Sequence, residues 1–293
     1  MPGFHGGELA VQRRAGVRAA ADRLANMLGA PDLYASPGRS LAKHTFAGLT
    51  GRDRAGRLWI SPLAGPPGFL DVVTARTLRI HAVPSAGDPL LALRAAQPVG
   101  LLAIDFATRR RVRVNGVLSA ADERGLTIEA DQAYANCPRY IQPRVLEPAG
   151  DARAAEASHP RRDSRLAGGD VDLIRRAEAF LLGTTHPEGG NDASHRGGAA
   201  GFVRVTDAGE LCWPDYPGNN LFNSLGNLAV DPTAAVLFAD FVAGTTLHLS
   251  GTARVDWPDA GSFGDAGAAG RRVRFIIEAV VAGQALPPRP GSP

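Results

Sequence analysis

The sequence predicts a mostly β protein built as two copies of one β domain in tandem, each preceded by helix. Three observations carry this reading. Residues recur between the two halves at a nearly constant spacing, short apolar runs are cut repeatedly by Gly, Pro and Asp, and 293 residues suit two domains of roughly 150. The 35 Gly and 22 Pro make about a fifth of the chain, enough for many tight turns. That share stays below the ~25–30% typical of low-complexity chains. Hydrophobic residues at 44% and charged residues at 21% exclude wholesale disorder.

Residues 7–28 read as helix. Leu9, Val17, Ala20, Leu24 and Met27 recur near every third and fourth place, with Arg13, Arg14, Arg18 and Arg23 on the other faces. Gly29-Ala30-Pro31 ends the run, because proline cannot continue a helix. From residue 45 the pattern turns to short β runs at 57–60, 78–82, 101–106, 111–118 and 126–130. Residues 148–169 hold no aromatic, Val or Ile and read as a linker. A short helix capped by Asp170 or Asp172 follows, and then β runs at 179–184, 201–206, 210–213, 234–238, 245–250 and 273–280. The expected organisation is a first β domain with its helix over 1–147, the linker over 148–169, and a second β domain over 170–293.

The repeat rests on named matches. FAGLT at 46–50 aligns with FLLGT at 180–184, an offset of 134. Ser61, Gly65, Gly68, Phe69 and Leu78 align with Ser194, Gly198, Gly201, Phe202 and Leu211 at 133. Asp105-Phe106 and Gly116 align with Asp240-Phe241 and Gly251 at 135. Chance matches would not hold one offset, within two, along such a length.

Charge and special residues exclude several classes. The net charge is only +3, and the dense basic run Arg109-Arg110-Arg111-Val112-Arg113 stands alone, so no nucleic-acid partner is expected. Lys43 is the one lysine and has no Gly-rich loop before it, which excludes a Walker-type phosphate loop. Cys137 and Cys212 are too few and too far apart for a disulfide framework or a thiolate zinc site. No apolar stretch approaches the ~18 residues of a membrane span, and no signal core opens the chain, so a cytoplasmic protein without membrane partner is expected. Phe222 stands where a G-x-S-x-G elbow around Ser224 needs glycine, which argues against a serine hydrolase.

The run at 186–255 is the most distinctive. It holds GFV at 201–203, PDYPGN at 214–219, SLGN at 224–227 and LHLSG at 247–251. These motifs resemble the FMN-binding split β-barrel family typified by pyridoxamine 5′-phosphate oxidase. VGLLAIDF at 99–106 and RRRVRVNG at 109–116 resemble it more faintly. The resemblance implies two split β-barrels in tandem with flanking helices, forming an intrachain pseudo-dimer with FMN in a crevice between the halves. It implies an FMN-dependent oxidoreductase whose partner is a small-molecule substrate or electron donor, and a homodimer is possible.

Candidate cofactor-binding residues follow from the chemistry of FMN, a phosphate and a ribityl chain on a flat ring with polar edges. Ser194 and Arg196 offer a hydroxyl and a forked cation beside Gly197 and Gly198. Pro214, Asp215 and Asn219 lie on a turn leaving a strand, and Ser224 and Asn227 on a short helix. Arg111, Arg113 and Asn115 share one face of a strand, with Val112 and Val114 on the other. The family's oxidases place Ser-Arg-Lys after the turn and Arg-Gln on the later strand. Here Gly218-Asn219-Asn220 and Thr245-Thr246 stand there, so the first half's arginines are expected to face the second half's turn. A strict pyridoxamine phosphate oxidase is therefore not expected.

Other readings stay open. A non-catalytic protein binding or sensing FMN, haem or F420 is one, with His44, His195 or His248 as an axial haem ligand. A degenerate duplicate with a structural role is another. His5, Glu8 and Gln12 share a helical face, better explained by helix docking than by covering a cofactor. His186, Glu188, Asp192 and His195 are expected in one Gly-rich loop without the helical spacing that orients metal ligands, and no metal is expected. Arg139 near Cys137 could activate that thiol, although a small buried filler is the commoner role. No catalytic acid or base is named.

Overall fold

The computed structural model describes residues 3–135, 139–142, 160–241, 243–257 and 270–286. Helices α1 (Gly6–Arg14), α2 (Arg18–Asp22) and α3 (Ser36–Arg39) come first. The single helix expected over 7–28 is therefore broken. Gly16 takes φ +69° after α1, a conformation that costs glycine little, and a 3-10 turn occupies Ala25–Leu28.

Seven strands follow: β1 (Phe46–Arg52), β2 (Leu58–Ala64), β3 (Leu70–Val72), β4 (Thr77–Ile80), β5 (Gln97–Asp105), β6 (Arg110–Asp122) and β7 (Gly125–Ala135). The second half contributes β8 (Arg161–Asp163), α4 (Gly168–Arg176), β9 (Ala179–His186), β10 (Gly190–Gly197), β11 (Arg204–Val205) and β12 (Leu211–Pro214). It closes with α5 (Asn223–Leu228), β13 (Thr233–Asp240), β14 (Thr245–Asp256) and β15 (Arg272–Ala285).

The protein is mostly β, as expected. One sheet runs β2-β1-β5-β6-β7-β4-β3 and the other β10-β9-β13-β14-β15-β12-β11, strand for strand the same order. Each wraps its inner side chains into its own core. Leu49, Leu101, Val112 and Val114 lie in the first core, and Leu182, Val236, Leu247 and Leu249 in the second. Full burial of such a side chain contributes about 1.5–3 kcal/mol. Gly116 and Gly251 both sit where the register slips, and a Cβ on either would strike a neighbouring carbonyl oxygen at 2.0 and 1.9 Å. Glycine there lets the long strand bulge and bend.

The outer faces meet, β10 against β5 and β2 against β13. Ile60, Leu102 and Ile104 pack there with Leu181, Ala193 and Leu237. A Cβ on Gly100 would approach the Asp192 backbone to 2.7 Å, so glycine at this point lets the two sheets close.

The structure departs from the sequence expectations at several points. Strand pairing puts Leu49 opposite Ser61 and Leu182 opposite Ser194, so the correspondence in β1 and β9 follows the spacing of the two serines. The match of Phe46 with Phe180 is one residue out of register, and one residue reverses the face. Phe46 packs at the junction of the sheets, whereas Phe180 lies in the second core. The segment expected to be a Gly-rich loop is instead strand β10, paired along its length with β9. Within the expected linker, 148–159 lie outside the described residues, Arg161–Asp163 pair with β15, and α4 begins at Gly168. Asp170 lies inside α4, where its carboxylate accepts from the Ala167 N–H at 2.7 Å. Of the run expected at 201–206, only Arg204–Val205 form strand. Among the described residues no helix is long and apolar enough to cross a membrane.

Candidate functional site

The junction of the sheets opens into one crevice with walls from both halves. From the first half come Arg111 and Arg113 on β6, then Arg139 and Tyr140. From the second come Ser194 and Arg196 on β10, Pro214 and Asp215 at the end of β12, and Asn219 and Ser224 around α5. Eight of the ten residues singled out from sequence thus line one cavity of about 120 Å³.

Alternation in β6 sets the first wall. Val112 and Val114 are buried in the core, so Arg113 projects toward the second half. Arg113 is buried, ion-paired with Asp192 at 2.9 Å and donating to the Tyr134 hydroxyl at 3.1 Å. Burial works against its charge, but Asp192 and Tyr134 outweigh that and hold its pKa above the ordinary arginine value. Burial pushes the Tyr134 phenol upward, so it stays protonated. Asp192 also accepts from Ser224 Oγ at 2.9 Å and Asn115 Nδ2 at 3.2 Å.

The second wall is similarly braced. Arg196 pairs with Asp215 at 3.4 Å, and Asp215 accepts from Arg271 Nε and Nη2 at 3.0 and 2.8 Å. Burial lowers the pKa of Arg196, with Asp215 acting against the shift. Arg271 stacks over Phe222, 5.0 Å from the ring centre. Asn220 and Phe222 hold φ of 63° and 62°, a left-handed backbone seldom adopted by non-glycine residues. The loop carrying them is thus fixed in a strained shape at the cavity wall.

Arg113 Nε and Arg196 Nε are buried in the crevice wall and make no hydrogen bond. An anionic or oxygen-rich ligand would satisfy them. At the mouth, Tyr140 and Tyr216 stack across the halves with centroids 5.2 Å apart and planes 21° from parallel.

Two predicted site residues lie elsewhere. Asn115 lines a separate cavity on the far side of Asp192. Asn227 faces the back of α5, bonding Thr184 Oγ1 and the His5 ring at 3.0 Å each. Both share a strand or helix with site residues but project to another side. Sequence reasoning did not place Tyr134, Tyr140, Tyr216, Asn223 or Arg271 here, and considered Asp192 only as a metal ligand, a reading it set aside. On β10, Asp192 and His195 project to opposite faces. The Y in PDYPG and the Y-I after Arg139 were visible, but nothing in local spacing links residues so far apart.

The His5, Glu8 and Gln12 face docks α1 onto α5. Glu8 accepts from Asn223 Nδ2 at 2.7 Å, and Gln12 Nε2 donates to the Leu221 carbonyl at 3.0 Å. Gly7 and Gly226 permit the contact, since a Cβ on Gly7 would lie 2.1 Å from the Gly226 oxygen. Burial raises the Glu8 pKa to about 7 and, with nearby His186, lowers that of His5 to about 4. The helix therefore buttresses the wall carrying Ser224 and does not line the crevice. Cys137 lies outside the described residues. His44 is buried against the Ser40 carbonyl and His248 against the Ile60 carbonyl, so of the three histidines considered for haem only His195 reaches the crevice.

The corresponding place across the junction is filled. By strand register Arg111 and Arg113 correspond to Thr246 and His248, and Ser194 to Ser61. There Ser61 Oγ donates to Asp88 at 2.6 Å, His248 lies against Thr246 Oγ1 at 2.8 Å, and all four side chains are buried. Trp59 and Leu90 pack with Val281 beside them.

The sequence model of the pyridoxamine 5′-phosphate oxidase family matches residues 170–290. No curated protein matches. Solved structures similar to part of the chain include HupZ of Group A Streptococcus (13% identity, TM-score 0.32, 42% of this chain and 99% of that one). Others are HutZ, the haem storage protein of Vibrio cholerae (13%, 0.30, 41% and 97%), and a FAD-binding protein of Mesorhizobium loti (13%, 0.30, 43% and 99%). The match to the pyridoxamine 5′-phosphate oxidase family model thus falls on the half that carries the turn and α5.

Proposed function

We propose that this chain is an FMN-dependent oxidoreductase, a tandem duplicate whose halves form a pseudo-dimer with one flavin crevice between them. The carrying observation is that cations of the first half and the turn and helix of the second line a single cavity with unsatisfied buried donors. These groups suit the cofactor. Arg113 and Arg196 have N–H groups to give a phosphate, and Ser194, Ser224 and Asn219 supply hydroxyl and amide partners for a ribityl chain. Arg111 and Arg139 add positive charge near the opening, in place of the family's lysine.

The enclosed space, about 120 Å³, lies below the ~300–1,000 Å³ of drug-sized sites. A phosphate and chain fit the deep part, so the ring would take the mouth where Tyr140 and Tyr216 now stack. Bound there, the flavin supplies electron transfer, and this chain's residues set its orientation, charge environment and access. The braced pairs Arg113–Asp192 and Arg196–Asp215 hold the donors in place before binding. No residue is assigned a proton-transfer role.

The visible spectrum of the purified protein, with an FMN titration, tests this. Flavin bands and saturation at one FMN per chain are expected, as is NAD(P)H oxidation by the yellow protein. A Soret band, or a colourless protein indifferent to added FMN, would refute it.

A further inference from the structure

The matched Asp-Phe steps at 105–106 and 240–241 play no part in the crevice. They end β5 and β13, and their rings meet edge-on, 5.6 Å between centroids at 71°. Phe46 completes the triangle, 5.8 Å from Phe106 and 5.7 Å from Phe241. Beside the three rings lies a cavity of about 200 Å³, also walled by Leu181, Leu237 and His195.

Strand register explains why space remains. Phe46 stands opposite Ala64 as Ala179 stands opposite Gly197, in ladders aligned by Ser61 and Ser194. Ala179 therefore holds in the second sheet the position Phe46 holds in the first, and it lines the cavity. On one side of the junction a phenyl ring fills its place, and on the other a methyl group leaves it open. An apolar cavity of ~150 Å³ accommodates benzene, so about 200 Å³ takes one ring or a compact fused pair. At the rim Arg176 is ion-paired with Asp240 at 2.5 Å, and Glu178 adds negative charge, so no surplus cation favours an anionic ligand. The herringbone rings offer faces and edges to an aromatic guest.

We propose that this cavity is a second ligand site, taking an uncharged one- or two-ring aromatic molecule in the place a counterpart of Phe46 would fill. It is distinct from the flavin crevice, though His195 walls both, and its occupancy does not require flavin.

Indole is the probe, titrated against the full chain without added flavin and followed by saturation-transfer NMR. Saturable binding is expected. Ala179→Phe, which supplies the missing ring, weakens it by about tenfold or more while thermal stability is kept or raised. Ala179→Leu gives a partial loss and serves if the larger side chain prevents folding. Indole-3-carboxylate binds more weakly than indole. Absence of saturable binding, equal affinity for the carboxylate, or unchanged affinity in folded variants would each overturn the proposal. So would displacement of indole by FMN with no effect of Ala179→Phe, since the probe would then sit in the crevice.

Discussion

Replacing Arg113 and Asp192 singly and together separates what the pair does for the fold from what it does for a ligand. At 2.9 Å and an effective dielectric of ~20, their attraction is roughly 6 kcal/mol before the desolvation of either charge. Desolvation consumes much of this, so the pair contributes little net, yet removing one partner strands the other in a buried site. Asp192→Asn and Arg113→Met are each expected to lose about 3–5 kcal/mol in urea denaturation, with the double variant returning to within ~1 kcal/mol of the wild type. FMN binding, followed by flavin fluorescence quenching, should divide differently. Arg113→Met and the double variant lose about tenfold or more in affinity, because both lack the buried cation. Asp192→Asn keeps it and binds at least as tightly as the wild type. A double variant that binds FMN as well as the wild type would remove Arg113 from the site. An Asp192→Asn protein of unchanged stability would refute the coupling argument.

Three further outcomes are expected. With its pKa raised from 4.5 to about 7, Glu8 lends stability that is full below pH 4.5 and lost as pH rises through 7, up to roughly 3 kcal/mol. Glu8→Gln should flatten that part of the stability profile. His5 acts oppositely, its contribution being full above pH 6.5 and lost as pH falls through about 4. Gly7→Ala drives a methyl into the Gly226 carbonyl and should cost about 1–3 kcal/mol by thermal denaturation, whereas Gly6→Ala, with open space around it, should be nearly neutral. Tyr216→Ala unstacks the pair at the mouth and should speed FMN association in stopped flow at a cost of about 0.5–1.5 kcal/mol in stability. An unchanged rate would mean that the tyrosines do not limit access.

Much of the architecture was legible because β structure writes itself in alternation and punctuation. Val112 and Val114 marked the core face of β6, so the outward direction of Arg111 and Arg113 followed from the pleat alone. Ser61 and Ser194 hold equivalent places in the two ladders, 133 residues apart, whereas Gly116 and Gly251, 135 apart, both sit at a register slip. Phe46 and Phe180 misled because a one-residue slip looks trivial in sequence and is complete in space. β10 was hidden by polar, Gly-rich composition. Its strand character comes from being sandwiched between β9 and the first sheet, a tertiary cause. Asn115 and Asn227 lie away from the crevice for a similar reason, since their neighbours' places do not fix the side to which they project. The bracing acids were visible as residues, but pairings across 19, 56 and 79 positions leave no local pattern.

The filled counterpart of the crevice has a consequence for how such a protein can change. In a symmetric dimer of identical chains, a residue that blocks one interfacial pocket blocks its twin as well. Here the two sheets are encoded by different stretches of one chain. His248 and Asp88 could close one place while Arg113 and Asp192 kept the other open. Two like sheets on one chain can therefore differ at the two places independently, so one can be surrendered to packing without loss of the other.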